Sequence, residues 1–247
     1  MTKNNSPDKS FTLPLDPRGT LLIIDRDATI ISSREIAYGC YLASFNEVIR
    51  KADPEAGRLS EELFTRAYHP FARTGVYEVY YPDLAEKDRE KIGEVSWNYY
   101  KSHYRQPEFN LLIPGMDGCL RALKEAGATI AILTASEADG TWMKKYRIPV
   151  DSYFSVTRLK KEGTIEGKKP EAIRYILAQY DKSAGDAATI GDNPKDHTDE
   201  VISIGTPFGL HSPEARRDLR RAVDIYTPRV EDLYGVFGLK PSPGQAE

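Results

Sequence analysis

Two aspartates, Asp25 and Asp27, follow directly on the apolar run Leu21-Leu22-Ile23-Ile24. In an extended chain residues i and i+2 project to the same side, so the spacing predicts two carboxylates facing one way at a strand end. Two more stretches end in polar residues of the same kind. One is Thr134-Ala135-Ser136, and the other is Gly191-Asp192-Asn193-Pro194-Lys195-Asp196. If the three ends meet, Asp25, Asp27 and Asp192 make an all-oxygen, anionic cup. Mg2+ prefers such a donor set of carboxylates, carbonyls and water.

The elements that must bring these ends together are legible as an alternation. Leu21 to Ile24 reads as a parallel strand covered on both faces. A helix through Leu120, Leu123 and Ala126, closed by Gly127, precedes a strand from Ala128 to Leu133. The rhythm repeats with a strand at Tyr153–Thr157, a helix at Pro170–Tyr180 and a strand at Ala188–Ile190. Another strand at Val201–Ile204 leads to a helix at Pro213–Ala222. This predicts an α/β fold with a Rossmann-like parallel sheet, whose ligands bind at the carboxyl ends of the strands.

Residues 33–110 break the rhythm. Ser32 and Glu35 predict a capping box, and Ile36, Cys40, Phe45, Val48 and Ile49 recur at helical spacing. Helices are expected around Ser60–Tyr68 and Asp88–Tyr104, with a loop containing Pro and Tyr between them. The expected organisation is an α/β core over 19–32 and 111–239, a helical insert over 33–110, and tails at 1–18 and 240–247.

Composition narrows the function. The 247 residues carry 34 Lys+Arg against 37 Asp+Glu, a net charge of −3, which gives no basic excess for a polyphosphate backbone. Nucleic acid is therefore not the expected partner. Cys40 and Cys119 have no CxxC spacing, so reduced, buried thiols are expected rather than a zinc cluster. No apolar stretch approaches the ~20 residues of a membrane span or follows the polar N-terminus as a signal core, which predicts a cytoplasmic protein without a membrane partner. A monomer or homodimer is expected.

The stretch IIDRDAT resembles the first motif of the haloacid dehalogenase superfamily, an apolar strand running into Asp-x-Asp-x-Thr. ILT ending at Thr134 is similar to the second motif, Lys169 before Pro170 and Glu171 to the third, and IGDNPKD with Asp192 and Asp196 to the fourth. PGMDGCLRALKEAG and IGTPFGLHSPEARRDL resemble segments of the branch that contains phosphoglycolate phosphatases and β-phosphoglucomutases. The likeness runs from about residue 19 to 238.

The resemblance implies a Mg2+-dependent phosphatase of a small phosphorylated metabolite. Asp25 would be the nucleophile, forming a phosphoaspartyl intermediate, and Asp27 the acid and base. The metal would sit between Asp25, the Asp27 carbonyl and Asp192, with Asp196 holding a metal-bound water. Thr134, amides near Ala135 and Lys169 would bind the phosphate, and Thr29 would orient the loop. Lys168 competes for the third-motif role, but the family places its lysine directly before proline. A phosphosugar mutase and a non-catalytic protein that binds a phosphorylated ligand are the alternatives.

The sequence departs from the family pattern at three places: Ala28 replaces a glycine, Arg26 an apolar residue, and Ala135 an asparagine. Arg26 is expected to point away from its flanking aspartates. The insert resembles a helical cap that contacts the leaving group. Nine of the fifteen tyrosines lie in it, at 38, 41, 68, 77, 80, 81, 99, 100 and 104. They serve either as packing for a helical bundle or as an aromatic cleft for substrate. On the second reading Arg73, Tyr77 and Tyr80 are the candidate contacts.

Overall fold

Leu21–Ile24 carries no polar residue because this strand, β1, lies in the middle of a sheet with both faces covered. The computed structural model describes residues 12–67, 75–106, 109, 111–135, 141–209 and 212–241. Its six strands are β1, β2 (Thr129–Thr134), β3 (Ser152–Ser155), β4 (Ala187–Gly191), β5 (Ile202–Gly205) and β6 (Ile225–Tyr226). All pair in parallel, in the order β3-β2-β1-β4-β5-β6. The order reverses at β1, between β2 and β4, which is where a doubly wound sheet opens a crevice.

The two-residue period of the strands divides the core. Leu22, Ile24, Ile130 and Ile132 face one layer, and Leu21, Ile23, Ala131 and Leu133 face the other. Between β1 and β2 the chain forms α1 (Arg34–Ser44), a π-helical turn at Phe45–Ile49, α2 (Arg50–Ala52), α3 (Glu61–Ala67), α4 (Gly75–Tyr80), α5 (Glu86–His103) and α6 (Met116–Glu125). After β2 come α7 (Thr141–Tyr146), α8 (Val156–Lys161), α9 (Lys169–Gln179), α10 (Pro213–Ala222) and α11 (Val230–Val236). Buried residues of α6, α7 and α11 pack on the first face of the sheet, and those of α8 and α9 on the second.

Helices α1 to α5 have an apolar core of their own, including Tyr41, Phe45, Phe64, Val76, Tyr77, Tyr81 and Ile92. The segments that lead into and out of this group run side by side. Ser32 N–H donates to the Leu111 carbonyl at 2.8 Å, Ile113 N–H to the Ile30 carbonyl at 2.9 Å, and Ile31 and Leu112 form an antiparallel bridge.

Several local expectations are corrected. Ser33 rather than Ser32 precedes the first turn of α1. Ser32 Oγ instead donates to Glu35 and accepts from Arg34 N–H, which is not a reciprocal capping box. The loop expected around Tyr77 is helical from Gly75 to Tyr80, because Val76 and Tyr77 turn inward together. Residues 152–155 form the strand expected at 153–157, and Val156 already begins a helix under the Ser155 cap. The N-terminal segment is not all tail. Leu15 N–H donates to the Val236 carbonyl at 2.8 Å, and the Leu15 side chain packs on the core. Cys119 is buried as expected, whereas Cys40 is only half-buried, its thiol donating to the Ser96 carbonyl at 3.4 Å; the two are not joined in a disulfide.

Candidate active site

Parallel pairing places β1, β2 and β4 in one direction, so their carboxyl ends share an edge. Ile24 lies opposite Ile132 and Ile190, and Asp25 N–H donates to the Ile190 carbonyl at 2.8 Å. Asp25 therefore emerges beside Gly191 and Asp192. Past Asp192, Asn193 caps a short 3-10 turn over Pro194–Asp196, and Asp196 Oδ2 accepts from Asn193 N–H at 3.0 Å. Gly191 makes this return possible, since a Cβ there would stand 2.7 Å from the Asp196 Cβ.

The outcome is a cluster of Asp25, Asp192 and Asp196, each buried, whose carboxylate oxygens lie within 4.8 Å of one another. Lys169 enters from the first residue of α9. Its Nζ donates to Asp25 Oδ1 and, at 2.6 Å, to Asp196 Oδ1. Lys168, the competing lysine, serves as the N-cap residue of α9. An ammonium at a helix N-terminus sits at the unfavourable end of the helix dipole, so the two carboxylates rather than the helix account for its position.

The electrostatics follow from burial. Asp25 is pushed up to about 7, chiefly because burial disfavours its charge; Lys169 opposes this, while Asp196 and Asp27 add to it. Burial also raises Asp192, again helped by Asp196 and Asp25. For Lys169 burial works against the charge, but Asp25 and Asp196 outweigh it and raise its proton affinity. Three buried carboxylates against one ammonium leave two negative charges uncompensated when all are ionised. Removing each such charge from water costs several kcal/mol. A small divalent cation fits this set in both charge and donor type.

The chain leaves the extended conformation immediately after Asp25 and Arg26. Ala28 adopts φ +59°, and Ile30 and Ile31 N–H both donate to the Arg26 carbonyl at 3.0 Å. Ala28 is also pressed by Gly209, whose N–H donates to the Ala28 carbonyl and where a Cβ would come within 2.6 Å of the Ala28 Cα. This turn separates the two aspartates that an extended chain would have aligned. The Asp27 carboxylate lies outside the three-carboxylate cluster and is 37% exposed. Its Oδ1 accepts from Arg26 Nη1 at 2.6 Å and its Oδ2 from Thr134 Oγ1 at 3.3 Å.

The expectation that Arg26 points away from its neighbours is thus wrong, because strand alternation ends before Asp27. Thr29, fully buried, reaches Asp192 Oδ1 with its hydroxyl at 3.5 Å. Ala135 is exposed at the end of β2. Trp142 and Tyr153, which flank Arg26, carry no sequence signal that marks them for the site; only the fold brings them there. His197, beside Asp196, is buried with its imidazole lowered to about 4 by burial, and its Nδ1 meets Thr189 Oγ1 at 2.8 Å.

The helical candidates separate. Arg73 lies outside the described residues. Tyr77 is 8% exposed and packed in the α1–α5 core, with its hydroxyl close to Ser44 and Ser96. Its burial favours packing, the first of the two roles open to these tyrosines. Tyr80 is half-buried against the same core.

The geometry has counterparts among known proteins. A family model described as haloacid dehalogenase-like hydrolase matches residues 22–198. The chain is 22% identical over 233 residues to "Pyrophosphatase PpaX" of Bacillus velezensis, covering 91% of this chain and 99% of that protein. It is 25% identical over 231 residues to the protein of the same name in Listeria monocytogenes serotype 4b, covering 88% and 95%. A haloacid dehalogenase-like family hydrolase from Streptococcus pneumoniae superposes with a TM-score of 0.61 at 14% identity, over 90% of this chain and 100% of that one. At that identity the likeness is one of fold.

Proposed function

Since the chain belongs to the haloacid dehalogenase-like hydrolases, we propose that it hydrolyses a small phosphorylated metabolite through a phosphoaspartyl intermediate at Asp25. The observation that carries this reading is the buried cluster of Asp25, Asp192 and Asp196 with Lys169 bridged between two of its members. A purely structural cluster would not keep excess negative charge away from water.

Asp25, Asp192 and the Asp27 carbonyl would hold Mg2+, with Asp196 reaching it through water. When bound, the ion neutralises phosphate charge that would otherwise repel an anionic nucleophile. Asp25 Oδ attacks phosphorus in line and the bond to the leaving oxygen breaks. Asp27, whose carboxylate is the more exposed of the two, gives that oxygen a proton and then takes one from the water that hydrolyses the phosphoaspartate. Lys169 balances the charge of the nucleophile and the phosphate, and the Thr134 hydroxyl, which donates to Asp27 Oδ2 without substrate, turns to a phosphate oxygen when substrate binds.

The helices of residues 33–110 are proposed as a cap over this edge, and the α/β core is proposed to comprise 19–32 and 111–239. The antiparallel pairing of the two connecting segments supports a common root for such a cap. The test is phosphate release from a panel of phosphorylated sugars, small phosphorylated acids, nucleotides and pyrophosphate, the last included because of the names of the curated relatives. The proposal expects turnover of at least one compound with Mg2+, abolished by chelator and restored by excess Mg2+. Turnover unchanged in excess chelator would refute the metal assignment, and no turnover of any phosphorylated compound would refute the reaction.

A further inference from the structure

Arg26 stands between the two aspartates in sequence yet is only 3% exposed. A buried guanidinium is costly unless its charge is met by a partner and its planar faces by packing. Arg26 has both. Nη1 donates to Asp27 Oδ1 at 2.6 Å, and the guanidinium carbon lies 5.6 Å from the ring centroid of Trp142 on α7. Tyr153 on β3 is close enough for the Arg26 charge to act on its hydroxyl. At the other end of the residue, the Arg26 carbonyl accepts from Ile30 and Ile31 N–H. Backbone and side chain are therefore both fixed.

The consequence falls on Asp27. One carboxylate oxygen is held from beneath by a buried cation, the other by the Thr134 hydroxyl, and the group still meets solvent. A carboxyl that moves protons at a reacting oxygen must present a lone pair in a defined direction, and a free aspartate at this exposure would rotate about χ1 and χ2. We infer that Arg26 is a positioning residue for proton transfer by Asp27, with Trp142 as the platform that fixes the guanidinium. The inference rests on the reading of Asp27 as the acid and base of the reaction. Arg26 touches neither substrate nor phosphorus; it acts through the direction in which Asp27 faces.

A role of this kind acts on one part of the chemistry. Departure of an alkoxide needs a proton, whereas 4-nitrophenolate leaves without one. Because kcat/KM covers the steps up to leaving-group departure, its ratio between 4-nitrophenyl phosphate and an alkyl phosphate isolates the proton transfer from binding and from the later hydrolysis. In Arg26→Met this ratio should rise about ten- to a hundredfold, as misplacement of a catalytic group by about 1 Å would cause. Arg26→Lys keeps a cation but loses the planar fork and its stacking, and should raise the ratio about threefold or more.

Asp27→Asn measured alongside separates the two levels of the argument. An unchanged ratio in Asp27→Asn would remove the acid-base role itself. A raised ratio there, with unchanged ratios in the folded Arg26 variants, would overturn the positioning role alone. Equal losses on both esters in the Arg26 variants, or failure of both to fold by circular dichroism, would make Arg26 a structural cation and overturn the proposal.

Discussion

Two buried polar clusters, one in the helices and one at the sheet edge, solve the same problem in opposite ways. In the helical group, Leu59 N–H donates to the Tyr41 hydroxyl at 2.7 Å, and Tyr81 donates to the Gly57 carbonyl at 2.8 Å. Tyr81 has one proton and spends it there, so in the 2.8 Å contact between the two hydroxyls Tyr41 is the donor. The chain of donors closes without any charge. At the sheet edge three carboxylates face one ammonium, which pairs with two of them, and the cluster is anionic when all are ionised. The neutral, satisfied network stabilises a particular packing; the charged, incomplete one is the feature from which binding of a cation and a phosphate is proposed.

The sharpest way to break this contrast is to remove a member of the charged cluster. Asp25→Asn should lower kcat by about 10⁴-fold or more, as loss of a nucleophile does. Its melting temperature should stay level or rise, because one of three mutually repelling buried carboxylates has been neutralised while Lys169 keeps Asp196. Thermal melts and steady-state rates on the same samples check both halves. A marked loss of stability would mean that the carboxylates hold the fold together and are not poised for a ligand.

In the helices the opposite pattern is expected. Tyr77→Ala empties a packed position and should destabilise by about 3–5 kcal/mol, the usual cost of truncating a buried aromatic. Any loss of kcat/KM should then be uniform across substrates, measured on a large and a small phosphoester. A loss confined to one substrate would return Tyr77 to the role of substrate contact. The smallest effect belongs to the turn that joins the two regions. Ala28 at φ +59° carries a left-handed backbone that costs an L-residue roughly 1–2 kcal/mol, so Ala28→Gly should stabilise by about 1 kcal/mol in urea unfolding. A destabilisation would show that the Ala28 methyl packs well enough to offset the strain.

What the sequence revealed follows the range over which the physics acts. Strand apolarity and the polar residues that follow the strands are local signals, the lysine before Pro170 was marked by the family resemblance, and the sheet brings Asp25, Lys169, Asp192 and Asp196 together. Period-two reasoning failed at Asp27 because β1 ends at Ile24, so the i, i+2 alternation does not carry through to residue 27, and the chain turns at Ala28 immediately after it. The Arg26 contact with Trp142 joins residues 116 positions apart across elements and has no sequence signature. In the helical segment the tyrosines left two roles open, packing and substrate contact. Only burial distinguishes Tyr41, Tyr77 and Tyr81, which pack, from the more exposed ring of Trp97 stacked on Tyr100. β6, two residues long, is too short to show a period at all.

The account turns on a covalent bond between phosphorus and Asp25. The most direct measurement is to quench the enzyme in acid during turnover of its best substrate with Mg2+, reduce with borohydride, and map the peptides by mass spectrometry. An acyl phosphate is reduced to the alcohol, so the account predicts that the peptide spanning residue 25 carries homoserine in place of Asp25, only when substrate is present and never in Asp25→Asn. Reduction at another carboxylate, or at none while turnover proceeds under conditions that accumulate the intermediate, would contradict it.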